Sequence, residues 1–260
     1  MPFPYTDAHG ELNFEADFIA LLQQSGWEKQ VLRNYTVEDL IANWRQILFE
    51  RNRAVLHGVP LSDDEMQRVL DSLRQYADTP VKANHFLGSA ERGLAVRRDR
   101  DSKDTAHAGK EVYLNLFRAR EIAGGSSLYQ IAEQTQFVST HPNYPDRRGD
   151  ITLLIDGIPV IQIELKASGV DVFEAATKIQ KYTKENIFKG FMSLVQVFWA
   201  ISPEDALYFA NPGGADRFNP AFFFHWGDRD NHIIRDWREL ITGPSHILSV
   251  PEAPKLIGYY

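Results

Sequence analysis

Apolar and polar positions follow two different periods along the chain, and the change between them divides it. From Asn13 to Gly26, apolar Phe14, Phe18, Leu21 and Leu22 share one helical face. Asn13 stands where a cap belongs and Gly26 where a helix stops. Thr36 to Glu50 opens with Thr-x-x-Asp and continues at helical period. Ser62 to Tyr76 does the same, with acids crowding its first turn. Trp27 to Asn34 is a short strand candidate, so residues 1–80 read as mainly helical.

Beyond them the period drops to two. Glu111–Arg118 and Gln134–Ser139 alternate as strands do. Asp150–Ile155 and Ile158–Lys166 form a strand pair joined by Asp156-Gly157, a strong hairpin signal. The charge-mixed stretch Arg92–Lys110 reads as a mobile loop. Val172–Asn186 reads as a helix, Leu194–Ile201 and Ala206–Ala210 as strands, Asn211–Gly214 as a turn and Ile233–Ile241 as a short helix. There is no internal repeat. Helices followed by a mixed sheet with a helix packed on it make an α/β or α+β protein.

Composition narrows the class. The 260 residues are 43% hydrophobic and 24% charged, an ordinary globular balance. No apolar run is long enough to span a bilayer, and Met1-Pro2-Phe3-Pro4 has no signal-peptide character. Without a cysteine there is neither disulfide nor thiolate metal site, which makes the cytoplasm the expected compartment. The eight histidines are scattered without His-Glu-x-x-His, so no zinc site is expected. A net charge of −7 predicts weak DNA binding by the isolated chain.

Charged residues at the ends of the apolar hairpin then stand out. Ideal pairing from Asp156-Gly157 sets Asp150 opposite Ile163, one position from Glu164. Glu164 and Lys166 point to the same face. A shift of one, by twist or bulge, brings the two carboxylates together. At about 4 Å they repel by roughly 4 kcal/mol at an effective dielectric near 20, so a cation belongs between them. Mg2+ is a natural candidate, with Lys166 holding a phosphate oxygen or orienting water. An ordinary solvated hairpin fits the same spacing.

The hairpin resembles motifs II and III of the PD-(D/E)xK nuclease superfamily, with Asp150, Glu164 and Lys166 in the three positions and Gly149-Asp150 in place of Pro-Asp. More narrowly, Gly149-Asp-Ile-Thr and Asp156-Gly-Ile-Pro-Val-Ile-Gln-Ile-Glu-Leu-Lys166 resemble the N-terminal nuclease domain of the restriction (motor) subunit of type I restriction–modification enzymes. Phe14-Glu15, Leu21-Leu22 and Gly26-Trp27 are similar to that family's first helix. Glu174–Asn186 is similar to its later helix, Phe198–Ile201 and Tyr208-Phe-Ala-Asn211 to its next strands, and Phe223–Leu240 to its passage towards the motor.

The resemblance implies a restriction-endonuclease-like α/β core, sheet at about 111–210, with a helical elaboration at about 35–80. All 260 residues would form one nuclease domain, the N-terminal piece of a longer subunit. It makes Asp150 and Glu164 the Mg2+ ligands, Lys166 the catalytic lysine and Glu15 a first-helix acid, although Glu15 also fits a plain helix-start glutamate. Tyr182 matches the tyrosine of the family's Gln-x-x-x-Tyr signature, but Lys178 replaces its glutamine. Lys178, Lys181, Arg147 and Arg148 become candidate phosphate contacts, each also explicable as solvated charge. Double-stranded DNA and the modification and specificity subunits are the implied partners, with no membrane; the spacing says nothing of oligomeric state. There is no Gly-x-x-x-x-Gly-Lys-[Ser/Thr] loop, so ATP is not expected to bind this chain. Two rival readings are a stand-alone nuclease of the same superfamily and a nuclease-like module kept for DNA clamping or assembly.

Overall fold

The computed structural model describes residues 5–6, 9–77, 79–88, 94–116, 127–139, 141–243 and 245–259. The Met1–Pro4 segment and the ends of two sequence ranges, Arg92-Gly93 and Phe117-Arg118, lie outside them.

Helix α1 (Gly10–Gln24) buries Phe14, Phe18 and Leu22 on the expected face. It begins three residues before Asn13, which is therefore not the cap; its N–H donates to the His9 carbonyl, already one helical turn in. Strand β1 (Val31–Arg33) follows. Helix α2 (Val37–Arg51) starts at a complete capping box between Thr36 and Asp39, and α3 (Asp63–Tyr76) at one between Ser62 and Glu65. Helix α4 (Pro80–Gly88) adds to this lobe.

The stretch expected as a mobile loop is partly a strand. Strand β2 (Leu94–Arg97) pairs antiparallel with β3 (Glu111–Leu114). Leu94 and Val96 point inward from β2, and Arg98 beyond it is buried against Glu65, 3.2 Å away. The run of charges hid that alternation. Residues 111–114 thus belong to this separate hairpin and not to the main sheet.

The main sheet has six strands in the order β1-β4-β7-β8-β9-β10. Strand β4 (Tyr129–Glu133), not expected from the sequence, pairs with β1 and with β7 (Ile151–Ile155). Its polar Gln130 obscured the pattern, yet the amide is satisfied by reciprocal 3.1 Å hydrogen bonds with Asn43 of α2. Only Gln136-Phe137 of the next expected strand is extended (β5), paired with Arg147-Arg148 (β6). Strand β8 (Ile158–Leu165) joins β7 antiparallel and β9 (Val197–Ser202) parallel; β10 (Asp205–Ala210) closes the far edge.

Strands β7, β8 and β9 are buried at every position, so both faces of the sheet centre are covered. Helix α5 (Phe173–Lys184) packs on β8 and β9, and α1 also meets β8. A single 3-10 turn, Gly190–Leu194, ties the helical lobe to β8. Near the end, only Trp237–Leu240 of the expected helix forms, as a 3-10 turn, and α6 (Glu252–Tyr259) follows. Among the described residues no helix is long and apolar enough to cross a membrane. This is a mixed α/β sheet flanked by helices, consistent with a restriction-endonuclease-like core.

Candidate active site

The hairpin turn is set by two left-handed residues, Asp156 (φ 53°) and Gly157 (φ 81°). A side chain at Gly157 would also strike the Trp44 backbone of α2, 3.0 Å away. Pairing runs Ile155 to Ile158 and Leu154 to Pro159, and then slips: Leu153 faces Ile161 and Ile151 faces Ile163. Val160 is the extra residue. The slip puts Asp150 level with Glu164, the shift the carboxylate spacing calls for.

Asp150 is fixed on both oxygens. Oδ2 accepts from the Leu165 N–H at 2.7 Å, and Oδ1 from the Lys178 ammonium at 2.8 Å. Glu164 is fully buried. Its Oε1 accepts from the Gln162 amide at 3.0 Å, while Oε2 lies 2.6 Å from Lys178 Nζ without a well-formed hydrogen bond. The cation between the carboxylates in this structure is therefore a lysine from α5.

Burial pushes the Glu164 carboxyl well above the usual range and Asp150 adds to it; Lys178 opposes both. Burial disfavours charge on Lys178, but the carboxylates outweigh it and raise its affinity for a proton.

At Gly149, which stands before Asp150, the structure leaves room for neither proline nor a larger side chain. Its N–H donates to the Thr135 carbonyl at 3.0 Å, which proline could not do. A Cβ there would fall 2.7 Å from Gln162 Nε2 and 2.9 Å from a Phe137 ring carbon. The space is taken by a buried polar chain. Thr135 and Thr152 share a hydroxyl contact at 3.2 Å, Thr152 donates to Gln162 Oε1 at 2.7 Å, and Gln162 continues to Glu164. None of these three was singled out from the sequence. Thr152 and Gln162 do lie two residues from Asp150 and Glu164, and so on their face.

The remaining candidates fall around this pair. Glu15, buried on α1, accepts from the Gln134 amide at 3.1 Å; burial, its largest influence, pushes its carboxyl up to about 6. Tyr182 donates from its hydroxyl to the Arg148 carbonyl at 2.7 Å, bracing the chain just before Asp150. Burial pushes that hydroxyl up to about 12. Lys166 lies 3.7 Å from Glu11 Oε2. It lines an open cleft of about 590 Å³ together with Lys178, Lys181, Tyr182 and Arg147. Arg147 is engaged by a two-pronged pair with Glu185, at 2.6 and 2.7 Å, whereas Arg148 and Lys181 are exposed.

The family model described as the type I restriction enzyme R protein N terminus matches residues 14–217. The type I restriction enzyme SsaAORF53P endonuclease subunit of Staphylococcus saprophyticus is 30% identical over 243 residues, covering 91% of this chain and 23% of that subunit. The SauMSSORF170P endonuclease subunit of Staphylococcus aureus is 30% identical over 227 residues, 86% of this chain and 22% of its own length. The EcoprrI endonuclease subunit of Escherichia coli is 35% identical over 231 residues, 88% of this chain and 67% of the relative. The chain thus spans less than a quarter of the staphylococcal relatives.

Proposed function

Because the chain belongs to the family of type I restriction enzyme R protein N termini, we propose that it is a DNA-cutting domain of such an enzyme. It hydrolyses phosphodiester bonds of double-stranded DNA and uses Mg2+. The observation that carries this reading is the convergence of Asp150 and Glu164 under an open, lysine-lined cleft.

The donor set suits a hard divalent cation. It offers two carboxylates and a buried Glu164 oxygen that accepts no well-formed hydrogen bond. When bound, Mg2+ would lower the pKa of a water and take up charge on the scissile phosphate. Asp150 and Glu164 would hold it. The backbone N–H of Leu165 and the Gln162 amide keep both carboxylates aimed. Lys178 occupies the same oxygens and has to withdraw into the cleft, where its charge can meet a phosphate. Lys166 stabilises charge on the phosphate or positions the nucleophile. Glu15 is an accessory acid and Tyr182 a positioning residue. Lys181, Arg147 and Arg148 meet backbone phosphates and so give no sequence readout. Recognition and methylation then belong to specificity and modification subunits. Cleavage follows ATP-driven translocation by motor domains outside these 260 residues.

The test is Asp150→Ala in the complete subunit assembled with its partners. Cleavage is expected to vanish while ATP-driven translocation continues; loss of translocation with cleavage retained refutes the assignment.

The Lys178 contact favours a second reading, a DNA-clamping or assembly module in which a permanent lysine silences the pair. Mn2+ soaked into crystals with a bound duplex separates the two. An anomalous peak between Asp150 and Glu164 supports cutting, and its absence with Lys178 still in place supports the clamp.

A further inference from the structure

The fold gathers two of the scattered histidines around one carboxylate, far from the hairpin in sequence. His57 lies in the turn after α2, with a left-handed backbone (φ 48°). Asp104 and His107 lie in the loop that closes the β2–β3 hairpin. His57 Nδ1 is 3.1 Å from one Asp104 oxygen, and His107 Nδ1 is 2.8 Å from the other. The rings stack with centroids 4.3 Å apart. The three ligand atoms all lie within 4.8 Å of one another.

The two imidazoles are the side chains that hold the buried Asp104 carboxylate. Asp104's side chain is only 2% exposed, roofed by the two imidazoles close beneath the surface. Among the described residues no lysine or arginine pairs with it; its ion-pair contacts are these histidines. Both rings also present the same nitrogen inward. In the metal-free cluster each Nδ1–H donates to one Asp104 oxygen; a shift of that proton to the outer nitrogen would leave both Nδ1 lone pairs, with the carboxylate, to a cation entering between them. Two imidazoles and a carboxylate are a ligand set for Zn2+, with a fourth position left for water.

We propose that His57, Asp104 and His107 form a Zn2+ site that clips the turn after α2 to the β2–β3 hairpin. Tetrahedral bonds of about 2.0–2.2 Å set ligand atoms roughly 3.3–3.6 Å apart, inside the range the cluster already spans, from 2.8 Å up to 4.8 Å, so only small shifts are needed. The half-exposed His57 and the more covered His107 leave the cation a path from solvent. The site is separate from the Asp150–Glu164 pair and does not depend on the nuclease reading.

The test is Zn2+ binding by calorimetry and dialysis on four proteins: the chain itself, His57→Ala, His107→Ala and Asp150→Asn. One equivalent held by this cluster is expected in the unaltered protein and in Asp150→Asn alike, beside any cation the Asp150–Glu164 pair takes up. Affinity should fall at least about tenfold in each histidine variant. Substituted Co2+ should show the strong visible absorption of a four-coordinate site, lost in His107→Ala. Absence of binding by the unaltered chain overturns the proposal. Equal binding by the histidine variants does the same and assigns the metal elsewhere.

Discussion

Replacing Lys178 by alanine strips the ammonium from between Asp150 and Glu164. At separations of 2.8 and 2.6 Å, each attraction is about 6 kcal/mol at an effective dielectric near 20. Most of that offsets desolvation. Breaking a buried pair typically costs about 3–5 kcal/mol, because the partner charge is left alone. Lys178 keeps 25% of its side-chain exposure, which places the expected loss near the lower end, about 3 kcal/mol. Urea unfolding in EDTA reads this directly. The vacated oxygens should then accept a divalent cation. Mn2+ at about one hundred times its dissociation constant returns about 2.7 kcal/mol. Unaltered protein should gain much less, since Mn2+ must first displace Lys178. Equal stability of variant and parent in EDTA refutes the reasoning, as does an equal gain from Mn2+ in both.

Other substitutions probe the surrounding frame. Glu15 carries a carboxyl raised by burial from its ordinary 4.5 to about 6, so the folded state holds that proton more tightly than the unfolded state. The resulting penalty is absent below pH 4.5, grows between 4.5 and about 6, and is complete above. Glu15→Gln should therefore stabilise the protein at pH 8 by up to about 2 kcal/mol more than at pH 4; a difference that does not change with pH sinks the idea. Gly149→Ala should cost about 1–3 kcal/mol by pushing Gln162 and Phe137 aside, and Gly149→Pro more, through the lost hydrogen bond to Thr135. Urea midpoints equal to the parent's would show that the polar chain yields freely.

The sequence made the hairpin, the capped helices and the helix α5 legible because each carries a strong local signal. Asp156-Gly157 dictates its turn, and Thr36 and Ser62 their capping boxes. Strand β4 was not legible, since Gln130 interrupts its pattern and is satisfied only by Asn43, 87 residues away in sequence. Strand β2 was hidden among charges for a similar reason, with Arg98 answered by Glu65 from α3. At the candidate site the spacing already called for a cation between Asp150 and Glu164. That Lys178 supplies it depends on how α5 crosses β8, which no local pattern encodes. The pairing of His57 with His107 through Asp104 is likewise a product of two segments meeting in space.

The extra residue at Val160 ties the geometry of the two acids to the parity of the interval between them. Across a two-residue turn without a bulge, residues directly opposite each other are always an odd number of positions apart. Asp150 and Glu164 are an even number apart, so no regular hairpin with this turn can set them face to face. An even interval between the two acids is therefore itself the mark of a bulge. A chain that deleted one residue between turn and glutamate would keep the same active-site geometry with a plain ladder. One that deleted two would again need an irregularity to bring the acids together.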